Sequence, residues 1–158
     1  MSAPLLAADV TAGQSLPTLE IDVTARTVVM GASASRDWQP QHHDHAWALE
    51  RAGTRDIFLN TPNQAGWIER YLTSWTGPTG RLGRLRFRMR TPVCPGDRLV
   101  FGGTVDDVTV DDVGCCWADV RVDLSVDGST VTECTARIAI AADPDDNPWR
   151  RSGDRWRP

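Results

Sequence analysis

One short stretch of the chain, RDWQPQHHDHA at residues 36–46, concentrates side chains that can move protons. It contains all three histidines of the 158-residue sequence, and Asp37 precedes His42 with Pro40 between them. A chain that bends at Pro40 can bring the carboxylate and the imidazole to the same water molecule. Such a pair suits the hydration of a double bond, in which one group takes a proton from water and another supplies one to a carbon atom.

Two other interpretations of this stretch stay open. Four adjacent residues of types that bind metals occur at His42, His43, Asp44 and His45. Neighbouring histidines point in different directions, however, and no distant Cys or His completes a ligand shell. We therefore expect no metal. The second alternative is a solvated polar loop without chemistry, and in either case we interpret His43 and His45 as surface or substrate-lining residues.

A buried helix is the clearest element predicted to position this stretch. In NTPNQAGWIERYLTSWTGP, Thr61 is the expected N-cap, with Gln64 three residues later and Pro62 at the first helical position. Gly77 marks the end, so the pattern predicts a helix of about 14 residues. A wide apolar surface indicates that this helix is largely buried; it comprises Ala65, Trp67, Ile68, Tyr71, Leu72 and Trp75.

The start of this helix offers donors for a developing negative charge. Unpaired N–H groups at a helix N-terminus can bind a thioester oxygen that becomes enolate-like in the transition state. Pro62 has no N–H, so we expect the donors among Asn60, Thr61 and Asn63. Loss of one such donor typically costs about 2.7 to 4 kcal/mol of barrier.

The rest of the chain is predicted to be mainly β-structure. LEIDV at residues 19–23 reads as a strand, and a Gly/Ala/Ser-rich connection leads from it to the His-rich stretch. Four later runs alternate apolar and polar residues, with Asp127 and Gly128 as a hairpin turn. The pattern predicts an α+β domain of the hot-dog arrangement, in which a curved antiparallel sheet wraps one long central helix. Free sheet edges and one exposed apolar face would then favour a dimer or higher assembly.

The expected single domain spans residues 1–142. Residues 1–17 are small and poorly patterned, which predicts a loose N-terminal arm, and residues 143–158 lack periodicity, which predicts a mobile tail. We expect a cytoplasmic protein, because no signal peptide or membrane span is recognisable. Free thiols are expected at Cys94, Cys115, Cys116 and Cys134.

The charge pattern argues against a nucleic-acid partner. All 17 basic residues are Arg, and the formal net charge is -4. Four Arg residues alternate with apolar residues: Arg84, Arg86, Arg88 and Arg90. We interpret this row as a solvated strand face or a partner interface. A contact to coenzyme A phosphates is a lesser alternative.

Two segments resemble a known enzyme family. DWQPQH resembles the D-x-N-P-x-H signature of MaoC-like (R)-specific enoyl-CoA hydratases, with Gln39 where the signature has Asn. LRFRMRTPVCPGDRLVFGGTV resembles the strand, PV-x-PGD, strand segment of that family. More closely, RDWQPQHHD with DIFLNTPNQAGWIERYLTSWTGP is similar to small subunits of the two-subunit MaoC-like hydratases of actinobacterial steroid side-chain degradation. Asn60 stands where many MaoC-like hydratases have Gly.

The resemblance implies an enoyl-CoA hydratase subunit with Asp37 and His42 in the catalytic positions. It also implies a bulky steroid enoyl-CoA substrate and an α2β2 heterotetramer with a second hot-dog subunit; a homodimer is the alternative. No cofactor is expected, since coenzyme A is part of the substrate. We expect His42 to act as base and Asp37 to orient water and protonate the α-carbon, with the two roles exchangeable. Gln39 and Trp38 are the remaining candidates for substrate contact.

Two further functions stay open from the sequence. A hot-dog acyl-CoA thioesterase would activate water at the thioester carbonyl rather than at the double bond. A non-catalytic chain would instead stabilise an active hot-dog subunit. Addition of water to the double bond, release of free coenzyme A, or neither would distinguish the three.

Overall fold

The computed structural model of the chain describes residues 5–158, which form one antiparallel sheet with a long helix against one face. The elements in chain order are β1 (Leu19–Asp22), α1 (Ala25–Ala34), α2 (His45–Trp47), α3 (Thr61–Thr76), β2 (Arg81–Met89), β3 (Arg98–Val110), β4 (Cys116–Val126) and β5 (Ser129–Ile140). The strand order is β1-β3-β4-β5-β2, so β1 and β2 are the two edges. This composition confirms the predicted α+β class.

Alternating apolar and polar side chains give the sheet a buried and an exposed face. Along β4, Val120, Val122 and Leu124 are buried at 1% exposure or less, and the charged residues between them face solvent. The predicted hairpin turn joins β4 to β5. Asp127 and Gly128 both have positive φ, 50° and 76°, which is the conformation that a two-residue turn of this kind needs.

The sheet face turned away from α3 carries mainly charged residues. The prediction of an exposed apolar face is therefore wrong. Asp119 and Arg137 form an ion pair across β4 and β5 on this face, with 2.7 Å between Nη2 and Oδ2. Arg86 and Arg88 on β2 are exposed there as well. Most buried apolar strand residues lie on the face turned to α3, whereas Trp117 and Ala139 are buried on the other face beside Trp156 of the C-terminal segment.

α3 packs its buried side against the sheet. Ile68 and Leu72 are fully buried in the core, beside strand residues such as Phe101. The helix has 16 residues and begins one residue earlier than predicted, because its N-cap is Asn60 and not Thr61. The backbone of Asn60 is extended, and its side chain accepts a hydrogen bond from the third helical residue, as an N-cap does.

α1 lies where the sequence analysis predicted only a Gly/Ala/Ser-rich connection. Its N-cap, Thr24, forms a reciprocal capping box with Thr27, and Val28 and Ala32 bury one narrow stripe. At Gly31 the helix comes so close to α3 that an added Cβ would lie 2.0 Å from the side chain of Asn63. α1 therefore packs firmly against the start of α3.

The N-terminal segment is attached to the sheet from residue 5 onward, in place of the loose arm expected for residues 1–17. Val10 and Leu16 are buried at 5% exposure each. The Gly13 N–H donates to the Val105 carbonyl at 2.8 Å, and the Leu16 N–H donates to the Gly103 carbonyl at 2.9 Å. Residues 1–4 of the expected arm lie outside the described residues.

The C-terminal segment, residues 143–158, packs on the sheet and does not have the free, extended form that a mobile tail would. The Trp156 ring lies 4.9 Å from the Trp117 ring. The guanidinium of Arg81 lies 3.6 Å from the centre of the Trp156 ring and 5.4 Å from that of Trp149. Composition did not reveal this packing because the partners of the two indoles are far away in the chain.

We predict that Trp156→Ala lowers the free energy of unfolding by about 1 to 3 kcal/mol. The substitution removes the ring contact with Trp117 and one of the two indoles at Arg81. Urea denaturation measures the effect. Trp38→Ala is the control, since that side chain is 69% exposed and its removal should leave the midpoint unchanged. Equal stability of the Trp156→Ala variant and the unmodified chain would contradict the prediction.

Candidate active site

Asp37 and His42 come together just after α1. The chain leaves the helix through Arg36, whose φ of 55° turns it sharply, and a short helical turn at Pro40–His42 reverses it. The Nε2 atom of His42 lies 3.5 Å from Oδ2 of Asp37. The bend expected at Pro40 is therefore present, and it brings a carboxylate and an imidazole close enough to contact the same water molecule.

The imidazole of His42 is held in one tautomer. Its Nδ1 lies 2.7 Å from the main-chain oxygen of Phe58, which can only accept a hydrogen bond, so Nδ1 carries the ring proton. The Phe58 ring packs edge-on against the imidazole, with 5.0 Å between ring centres. His42 is 5% exposed. In the neutral ring, Nε2 is thus the free acceptor, and it points at Asp37.

The carboxylate of Asp37 is held by two donors. The Asn60 side chain donates from Nδ2 to Oδ2 at 3.0 Å, and the Gln39 main-chain N–H donates to Oδ1 at 3.3 Å. The hydrogen bond from Asn60 is the main cause of a lowered pKa for Asp37; burial opposes it, and the Gln39 N–H and His42 act in the same direction as Asn60. The carboxyl group is therefore ionised at neutral pH.

The start of α3 offers fewer free donors than the sequence predicted. The N–H of Asn63 already donates to Oδ1 of Asn60 at 3.1 Å, so it is occupied by the helix cap. Pro62 has no N–H. The main-chain N–H groups of Asn60 and Thr61 have no acceptor within the described range 5–158. Of the three expected donors, two therefore stay available to an anionic oxygen.

The remaining candidates lie at the periphery. Trp38 is 69% exposed beside Asp37, and the side chain of Gln39 is exposed, so both are open to a bound molecule. His43 is exposed, and His45 Nδ1 lies 2.8 Å from Oδ1 of Asp56, away from the pair. No group of three or more His, Cys, Asp or Glu side chains among residues 5–158 is arranged to hold a metal ion.

Two residues near the pair were not found from the sequence. Ser35 accepts a hydrogen bond from the Asn60 side chain at 2.8 Å, and Phe58 supplies the carbonyl that fixes His42. Neither has a local sequence signal, because their partners lie 25 and 16 residues away in the chain. The role of Asn60 as N-cap of α3 did have a sequence signal, since Asn is among the best N-cap residues.

The chain is similar to known proteins in both sequence and structure. No family model matches it. It is 34% identical over 96 residues to the 3-oxo-4,17-pregnadiene-20-carboxyl-CoA hydratase beta subunit of Mycobacterium tuberculosis, and the match covers 61% of this chain and 74% of that protein. No helix within residues 5–158 is long and apolar enough to cross a membrane.

Two solved structures show the same architecture. A chain of the ChsH1-ChsH2 complex from Mycobacterium tuberculosis matches with a TM-score of 0.74 and 28% identity, over 82% of this chain and 98% of that one. The (R)-hydratase PhaJ1 from Pseudomonas aeruginosa matches with a TM-score of 0.74 and 20% identity, over 89% of this chain and 88% of that one. The second likeness concerns the fold alone. Together they confirm the predicted hot-dog arrangement.

Proposed function

This chain belongs to the MaoC-like hydratase family, and on that premise we propose that it is the small, catalytic subunit of an enoyl-CoA hydratase acting on a steroid side-chain thioester. The observation that carries the proposal is the approach of Asp37 and His42 to 3.5 Å beside the start of α3. The substrate class is taken from the Mycobacterium tuberculosis relative, whose name specifies a pregnadiene carboxyl-CoA. The reaction is reversible, so the same site would also dehydrate the hydroxyacyl product.

The chemistry starts from a site in which both groups accept protons. Asp37 is ionised because its pKa is lowered, and the Nε2 atom of His42 is free because Nδ1 carries the ring proton. One water molecule donates its two hydrogens to these acceptors and turns an oxygen lone pair toward the β-carbon of the bound enoyl thioester. Such general acid–base participation is usually worth about 10² to 10⁴ in rate.

A single water molecule supplies both added groups. As its oxygen bonds to the β-carbon, the π electrons move toward the α-carbon and the thioester oxygen, and one water proton passes to the imidazole. Imidazole is a stronger base than carboxylate, so it is the better first acceptor. The protonated pair then returns that proton to the α-carbon, which completes the addition of H and OH across the double bond.

The lowered pKa of Asp37 bears on which group protonates carbon. A carboxylate of this kind holds no proton before the reaction begins. This supports a division of roles that differs from the one expected from the sequence: His42 carries the proton in both directions, and Asp37 orients the water. Asp37 can still protonate the α-carbon if it first receives the proton from His42.

The thioester carbonyl is proposed to bind at the start of α3. The main-chain N–H groups of Asn60 and Thr61 would stabilise the oxygen as it becomes enolate-like, aided by the positive end of the helix dipole. Trp38 and Gln39 remain proposed contacts of the acyl-CoA. No step of this scheme needs a metal or another cofactor.

We propose a second MaoC-like subunit as partner, in an α2β2 assembly, by analogy with the ChsH1-ChsH2 complex. β2 is an edge strand nine residues long, paired with β5 on one side only. An unpaired edge of this length is a surface on which another sheet can continue. A homodimer through the same edge is the alternative assembly, and a cytoplasmic location stays a prediction.

The assay is the loss of ultraviolet absorbance of a conjugated enoyl thioester. Crotonyl-CoA and a steroid enoyl-CoA are each offered to the chain alone and to the chain with a candidate MaoC-like partner subunit from the same organism. We expect hydration of the steroid thioester when both subunits are present. Release of free coenzyme A thiol would replace the proposal with a thioesterase. A well-formed complex that hydrates neither compound would overturn it in favour of a non-catalytic partner chain.

A further inference from the structure

One amide side chain joins the catalytic pair to the start of α3. Asn60 is 1% exposed. Its Nδ2 donates both hydrogens, to Ser35 Oγ at 2.8 Å and to Asp37 Oδ2 at 3.0 Å, and its Oδ1 accepts from the Asn63 N–H at 3.1 Å. The same side chain therefore contacts the end of α1, the carboxylate and the first turn of α3.

We propose that Asn60 is a positioning residue, which fixes the carboxylate of Asp37 at a set distance from the N–H donors at the start of α3. The proposal rests on the hydratase function and deepens it. In a conjugated enoyl thioester, conjugation favours a planar arrangement of the carbonyl group and the double bond. The water site and the carbonyl site must therefore keep a constant separation, and a side chain bonded to both elements sets it.

Asn is suited to this task among the residues that cap helices well. The favoured N-cap residues are Ser, Thr, Asp, Asn and Gly. Asp would cap the helix but would place a second negative charge 3.0 Å from the Oδ2 atom of Asp37. Ser and Thr have one donor only, and Gly has none. Only the amide combines an acceptor for the cap with two donors for the opposite side.

Ser35 fixes the orientation of this amide. Its hydroxyl lies 2.8 Å from the Gly31 carbonyl at the end of α1 and can donate to it, which leaves an oxygen lone pair for the Asn60 Nδ2. The NH₂ group is therefore directed to Ser35 and Asp37, and the amide oxygen to the helix. The close approach of α1 to α3 at Gly31 holds this arrangement in place.

The hydrogen bond also acts on the charge of the carboxylate. It is the largest of the influences that lower the pKa of Asp37, and the only ionisable side chain among those influences is His42. Removal of the Asn60 amide should thus raise the titration midpoint of Asp37. A role confined to capping α3 would leave that midpoint where it is.

The test compares Asn60→Ala with Thr24→Ala. Both variants remove the side-chain cap of a helix, so both should lower the thermal midpoint by a few degrees. Only Asn60→Ala should reduce kcat/KM of the two-subunit enzyme, by about 100-fold, because only it releases Asp37. Ser35→Ala leaves the hydrogen bonds of Asn60 to Asp37 and to the helix in place. It should therefore reduce kcat/KM less than Asn60→Ala does.

Asn60→Asp provides the variant that keeps the cap. It retains an acceptor for the Asn63 N–H but replaces the donor to Asp37 with a carboxylate. We expect a loss of kcat/KM as large as in Asn60→Ala. The Asp37 carboxyl carbon, followed by NMR and assigned with Asp37→Asn, should titrate at higher pH in both Asn60 variants than in the unmodified chain.

The outcomes separate this proposal from the function on which it rests. An Asn60→Ala variant with unchanged kcat/KM and an unchanged titration of Asp37 overturns the positioning role. If the unmodified complex hydrates neither thioester, the proposed function fails, and the titration of Asp37 still decides whether Asn60 controls the carboxylate. Wild-type activity in Asn60→Asp would likewise overturn the proposal, because that variant has the cap alone.

Discussion

Asp37→Asn should lower kcat for hydration by about 10² to 10⁴, with KM little changed. The amide has the shape of the carboxylate and can still accept a hydrogen bond from Asn60. It lacks the negative charge that holds the attacking water and stabilises a protonated His42. Steady-state kinetics with the two-subunit enzyme measures the loss.

Asp44→Asn is the matched control for this substitution. Asp44 lies seven positions further along the same segment and caps α2 by accepting from the Trp47 N–H at 3.0 Å, which Asn does equally well. We expect full activity in this variant. Equal activity of the Asp37→Asn and Asp44→Asn enzymes would exclude Asp37 from the mechanism.

Asp37 should also leave a signature in stability against pH. Its pKa is lowered in the folded chain, so the ionised side chain stabilises the fold at pH values above its ordinary value of 3.8. That contribution is lost as the pH falls through the lower, folded value. In Asp37→Asn this part of the acid dependence should be missing, as urea midpoints across the acid range will show.

The second large effect is expected at His42. His42→Ala should lower kcat by about 10² to 10⁴, because it removes the proton carrier. It should also destabilise the fold by about 1 to 3 kcal/mol, since the carbonyl of Phe58 loses its donor. His42→Asn places an NH₂ group near the position of Nδ1 and can keep that bond. It should therefore be as inactive as His42→Ala and more stable.

The comparison of these two variants separates chemistry from folding. Kinetics and urea denaturation of both are needed, with His43→Asn as the control for an exposed histidine of the same segment. If His42→Asn keeps normal kcat, the imidazole is structural, and the acid–base scheme is wrong. If both variants are equally unstable, the bond to Phe58 does not have the role assigned to it.

The sequence pattern was sufficient to predict the strands of the sheet and the approach of Asp37 to His42. Apolar and polar residues alternate over many positions in the strands, which predicts them clearly. Asp127 and Gly128 both have the positive φ that a two-residue hairpin turn of this kind requires. Asp37 and His42 are close in the chain, so a single bend at Pro40 brings them together. Each of these features depends on neighbours within a few residues.

Features that depend on distant partners were missed or misplaced. α1 has a buried stripe of only Val28 and Ala32, which is too narrow to give a clear helical pattern. Gln64 follows Thr61 at the spacing of a capping box, which predicts Thr61 as the cap, yet the buried Gln64 side chain accepts a hydrogen bond from Thr132 on β5 at 2.8 Å. A tertiary contact of Gln64 therefore replaces the predicted capping box, and the N-cap is Asn60.

The strand order has a consequence for how the chain folds. β3, β4 and β5 follow one another with short turns and pair with their neighbours in sequence, so closing these hairpins costs little entropy. β1 and β2 must pair across this meander with strands that come later in the chain. The proposed catalytic segment lies between β1 and α3, so it leaves the ribosome before the strands on which it depends. The proposed active site is therefore synthesised before the strands β2 to β5, and it can be completed only after those strands have formed.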